Sequence, residues 1–126
     1  ANFADTASGF SNGQVISLST TLDNINWQTA IDSAQENHIT GLEIDMEGGA
    51  LVSGYFAPAA SDKDPFALKI GNAGNHILLN IFNTGTELSA IKCLKSVGGG
   101  FLLLATNRVG DNSDMALLKL NDEADL

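Results

Sequence analysis

Along most of the chain, apolar residues either alternate with polar ones or run unbroken for a few positions, in short bursts separated by turn residues. ITGLEIDM (39–46) and ALVSGYFA (50–57) are two such bursts, and they flank Glu47-Gly48-Gly49. Bursts of this length and period predict strands. Adjacent glycines supply the positive φ that a tight hairpin needs. The same pattern places strands at 14–19, 24–31, 65–70, 75–82, 90–96, 101–105 and 115–120, which makes nine. No window sustains a helical period. WQTAIDSAQENHI (27–39) sets Trp27, Ile31 and Ala34 at helical spacing, but its surroundings favour a strand ending near Ile31 and then a polar loop.

The bursts repeat. With a shift of about 51 residues, Gly48-Gly49 falls on Gly99-Gly100, Leu51 on Leu102 and Gly54 on Ala105. After a one-residue slip in the following loop, Asp64 meets Asp114, Leu68 meets Leu118, Lys69 meets Lys119 and Ile70 meets Leu120. Backwards, 24–31 lies over 75–82 and 14–19 over 65–70. The expected organisation is one domain, 1–126, of repeated units. These are a tail at 1–13, a partial unit at 14–31, a full unit at 39–82 and a partial unit at 89–126. The expected fold class is all-β, in antiparallel four-stranded units.

Four-stranded units of roughly 40–50 residues are typical of β-propeller blades. DMEGGALVSG, DPFALKIGNAGNHIL and SDMALLKLNDEADL resemble a bacterial propeller repeat of secreted and cell-surface proteins. That repeat reads D-G-G-aromatic-L-V-x-G, then a polar loop, then D-x-x-L-L-K-L-D-x-x-G-x-x-x-W. Trp27 stands where its terminal tryptophan would be, and Leu78 replaces it one unit later. The chain departs from the pattern before the glycine pairs, where Met46-Glu47 and Val97-Gly98 stand. The resemblance implies a scaffold rather than a reaction, and an extracellular or cell-surface location.

About two and a quarter blades are too few for a propeller, which closes with roughly four to eight. Three outcomes follow. Copies assemble into a closed ring, an amino-terminal strand completing a neighbour's last blade. Copies add head to tail as a fibre. Or the strands pack as a compact sandwich or prism-like monomer. The first two make the chain a homo-oligomer joined through sheet edges or blade faces.

Composition narrows the partners. Fifteen acidic residues against six basic ones give a net charge of −9, which repels phosphate backbones and argues against nucleic acid. The longest apolar runs, such as 101–105, are far too short for a membrane-spanning helix. Cys93 is the single cysteine, in a strand-like setting that suits a buried thiol. The opening ANFADTAS has the look of a mature secreted chain or of a trimmed one.

Few residues carry candidate chemistry. GFSNG (9–13) fits a nucleophile pattern, but a strand follows it where that motif requires a helix, so Ser11 reads as part of a turn. Asp62 and Asp64 in one loop and Asp111 and Asp114 in its counterpart are candidate calcium ligands. The alternative role for Asp64 and Asp114 is to hydrogen-bond backbone amides where loop meets strand. His38 and His76 are isolated from any zinc-ligand spacing. Trp27 and Tyr55, with Asn and Asp nearby, are candidate carbohydrate-stacking residues. The expectation is a secreted, non-enzymatic, self-assembling β-repeat protein with a structural or adhesive role; the alternative is a lectin-like oligomeric propeller.

Overall fold

The computed structural model describes residues 2–4, 11–31, 35–44, 47–59, 62–82 and 87–122. Among them lie ten strands and no helix: β1 (Asn2–Ala4), β2 (Ser11–Leu18), β3 (Ile25–Ala30), β4 (Glu36–Ile44), β5 (Ala50–Ala59), β6 (Asp62–Ile70), β7 (His76–Ile81), β8 (Glu87–Lys95), β9 (Phe101–Val109) and β10 (Asn112–Leu120). They form three antiparallel sheets, an amino-terminal β1-β2-β3, a central β4-β5-β6-β7 and a carboxy-terminal β8-β9-β10. The fold is all-β. Among the described residues no helix is long and apolar enough to cross a membrane.

Nine strands fall where the apolar pattern sets them, and β1 is the addition. It pairs Asn2 with Gly13 and Ala4 with Ser11, so part of the segment read as a tail joins a sheet. Three residues of strand are too few to show a period.

The repeat is written into the hydrogen-bond ladders. Pairing skips Thr40 between β4 and β5, and it skips Ile91 between β8 and β9 one period later. It skips Asn26 in β3 and Ile77 in β7 in the same way. Phe56 faces Asp64, and Asn107 faces Asp114, which preserves the one-residue slip expected in that loop. One alignment shifts, however. Ile31 N–H donates to Gly13 O at 2.9 Å, and Phe82 N–H donates to Pro65 O at 2.8 Å. Gly13, not Gln14, therefore corresponds to Pro65, and 14–19 lies one residue off its expected place over 65–70. The slack is taken up in the turn, closed by Ser19 N to Asn24 O in one unit and by the shorter Gly71 N to Asn75 O in the next.

Those two turns put Leu22 and Gly74 in one role, each donating its N–H back three residues, with φ of 61° and 82°. A left-handed backbone costs a non-glycine residue roughly 1–2 kcal/mol. Leu22 is exposed and loses little packing on truncation. After the entropy cost of glycine, roughly 0.5–1 kcal/mol, Leu22→Gly is expected to stabilise the fold. The midpoint of thermal unfolding should rise by about 2–5 °C, and a fall would show that the Leu22 side chain stabilises the turn.

The three sheets stack face to face around two cores. Alternation along β5 sends Leu51 to one face of the central sheet and Val52 to the other. Leu51, Ala67 and Phe82 pack on Cys93, Phe101, Leu103 and Leu120 of the carboxy-terminal sheet. Val52, Phe56, Phe66, Leu68 and Ile70 pack on Val15, Ile31 and Trp27 of the amino-terminal side. The middle strands of the central sheet, β5 and β6, are thus covered on both faces, whereas its edge strands leave Leu42, Ile44, Ile77, Leu79 and Ile81 exposed.

Polar and small residues fix these junctions. Asn37 is fully buried in β4; its Oδ1 accepts the Gly13 N–H at 2.6 Å, and its Nδ2 donates to Ile31 O and to Asn12 Oδ1, both at 2.9 Å. It ties the central sheet to the amino-terminal one. On the other side, Gly41 lets β4 approach β8: a Cβ there would stand 2.5 Å from Ser53 Oγ and 2.8 Å from Cys93 N.

Candidate functional site

Two related clefts open at the glycine-turn end of the sheets. The larger, about 400 Å³, lies between the Gly98-Gly99-Gly100 turn and residues 119–122 at the end of β10. The smaller, about 230 Å³, lies among Glu47, Gly49, Lys69, Gly71, Asn72, Asn75 and Ile77. Gly49 and Gly100, and likewise Lys69 and Lys119, hold equivalent registers, so this is one site formed twice.

Its polar groups are engaged within the protein. Asp122 Oδ1 accepts the Gly100 N–H at 2.6 Å, its backbone carbonyl accepts Lys69 Nζ at 3.0 Å, and Lys119 Nζ donates to Ser96 Oγ at 3.1 Å. The Lys69 bond crosses from the central to the carboxy-terminal sheet, which makes it part of the junction between them.

The two carbohydrate candidates do not meet. Trp27, on β3, packs inward on the core between amino-terminal and central sheets, against Gly74. Tyr55, on β5, points to the other face of the central sheet, because its neighbour Phe56 belongs to that same core. It also lies toward the opposite end of the strand, with Ala50 at the glycine-turn end. Around Tyr55 the structure gathers a small polar cluster. The His38 ring stacks on it at 4.9 Å, Lys63 Nζ stands 4.9 Å from its centroid, and Glu36 Oε1 lies 2.9 Å from His38 Nε2. His76 pairs with Thr29 at 3.0 Å, joining β7 to β3.

The calcium candidates fall on two sheets. Asp62 and Asp64 open β6, Asp114 lies in β10, and Asp111 is in the exposed turn before it. The side chain of Asp62 lies outside the described residues. Asp64 and Asp114 share a register in their respective sheets. Among the described residues, no three histidine, cysteine, aspartate or glutamate side chains lie together as a metal would need. In the 19–24 turn, hydroxyls of Thr21 and Ser19 hydrogen-bond the Asp23 carboxylate and hold its pKa below the ordinary value.

Cys93 is fully buried, with Sγ 3.6 Å from Leu51 O. Burial pushes its pKa up, and the Ser53 hydroxyl beside it acts in the opposite direction. A thiol held protonated is a poor nucleophile. The GFSNG pattern leads into β2, where Gly13 is committed to Asn37. Residues 9 and 10 lie outside the described ones, and so does the side chain of Ser11.

Sequence reasoning did not single out Asn37. A signal was available, since one period later the chain carries Leu88, an apolar residue at the matching position. Gly41 and Ser53 carried no such signal, because closeness between sheets leaves no mark on the local pattern. No protein-family model matches the chain, and no curated protein matches it.

Proposed function

We propose that this chain is a non-enzymatic, self-assembling β-repeat protein with a structural or adhesive role, secreted or held at a bacterial cell surface. Each sheet is read as a propeller-like blade, complete in the centre and one strand short of four on either side. The observation that carries the reading is the large apolar surface left on the outer faces of the two flanking sheets. Ile16, Leu18, Leu94 and Leu117 stand exposed there, whereas the middle strands of the central sheet, β5 and β6, are buried on both faces. Apolar patches of this kind mark interaction surfaces. The protonated, buried Cys93 and the internally engaged Lys69, Lys119 and Asp122 suit a scaffold better than a reaction centre.

Mass in solution, measured by light scattering across a concentration series, tests the proposal. The expected result is a species well above the 13.1 kDa chain mass. One discrete mass identifies a closed ring, and a broad, concentration-dependent distribution identifies a fibre. A monomer at every concentration would refute self-assembly.

A further inference from the structure

The two outer faces of the molecule are the two halves of its own internal junction, and we infer that they bind each other between copies. The proposed partner of the carboxy-terminal sheet's outer face is the amino-terminal sheet's outer face on a second copy of this chain. This inference rests on the self-assembly reading above and adds to it the surface used.

The argument is one of register. In the central sheet, Leu68 and Ile70 are fully buried beneath the amino-terminal sheet. By the ladder correspondence that sets Gly13 on Pro65, their equivalents in β2 are Ile16 and Leu18, which are 43% and 46% exposed. On its opposite face the central sheet buries Leu51 and Ala67 beneath the carboxy-terminal sheet. Their equivalents there are Leu102 and Leu117, the latter 64% exposed. The amino-terminal sheet thus leaves open the face that the central sheet presents backwards, and the carboxy-terminal sheet leaves open the face that the central sheet presents forwards. Setting one on the other recreates a junction that this chain already forms twice.

Polar groups agree with the match. Lys69 crosses the internal junction to the Asp122 carbonyl, and its register equivalent Lys119 stands opposite Leu102 on the open face. Lys92 stands opposite Leu104 on the same face. A chain with only six Lys and Arg against fifteen acidic residues therefore sets two of its cations on the surface that would meet another copy of an acidic body. A basic patch on a net-acidic body favours encounter between copies. The contact joins two different faces, so it is heterologous and propagates head to tail.

A pair of single substitutions tests this. Ile16→Glu blocks one face and Leu117→Glu the other, each at a side chain exposed in the single chain. Each variant alone should remain a monomer at concentrations where the unmodified chain assembles. Their equimolar mixture should give a two-chain species and nothing larger, because only one open face of each kind remains. A second pair, Leu18→Glu and Leu102→Glu, should behave alike, since Leu102 is the equivalent of the fully buried Leu51, and circular dichroism reports whether each variant keeps its strand signature. If the unmodified chain assembles but the folded variants assemble equally well, or the mixture stays monomeric, the face-to-face contact is overturned while self-assembly stands, and pairing of exposed sheet edges takes its place. If the unmodified chain is itself a monomer, both proposals fall.

Discussion

Asn37→Leu is expected to lower the unfolding free energy by about 2–4 kcal/mol, because a buried donor or acceptor left without its partner costs roughly 1–3 kcal/mol. The substitution strands the Gly13 N–H, which donates to Asn37 Oδ1, and it removes a donor from Ile31 O. Both groups lie where the amino-terminal sheet meets β4, so the loss concentrates there. The added apolar volume of leucine offsets only part of it. Equilibrium urea unfolding measures the change, and hydrogen exchange at the Gly13 amide locates it. A loss below about 0.5 kcal/mol, within the range of ordinary surface substitutions, would show that Asn37 is dispensable to that junction.

Gly41→Val is expected to destabilise by about 3 kcal/mol, at the upper end of the usual range for overpacking. A Cβ at this position meets Ser53 Oγ at 2.5 Å, Cys93 N at 2.8 Å and Lys92 Cα at 3.0 Å. Two of those three atoms belong to backbone, so no rotamer change relieves the clash, and the carboxy-terminal sheet must move away from the central one. Cys93 provides a second readout. Its thiol is buried and held protonated in the unmodified chain, and a thiol-directed reagent should label it much faster in the variant. Unchanged stability together with unchanged labelling would mean that β4 and β8 do not approach as closely as described.

The strands and their hairpins were legible because their signals are local. Alternation sets the faces, and Gly48 and Gly99 provide the positive φ of their turns, at 84° and 88°. The shared register of Asp64 and Asp114 was legible too, since each precedes an apolar run and a lysine by the same count. The position of β2 was misread by one residue because matching letter to letter cannot see a longer turn at 19–24, whereas the hydrogen bond from Ile31 to Gly13 can. Trp27 and Tyr55 stood out by aromatic character alone, which does not record that they lie on opposite sides of the central sheet. Asn37, Gly41 and Ser53 act between sheets, and nothing in a sequence window records which sheet lies above which.

The pairing order carries a kinetic consequence. Every ladder joins strands that follow one another along the chain, so each sheet closes through short hairpin loops and waits for no distant segment. Short closures of this kind are fast relative to long-range pairing. The slow event left is docking, in which two ready-made sheets must settle on the central one with Leu51 facing one way and Val52 the other. The two cores on either side of the central sheet are therefore completed last, although the strands that line them pair early.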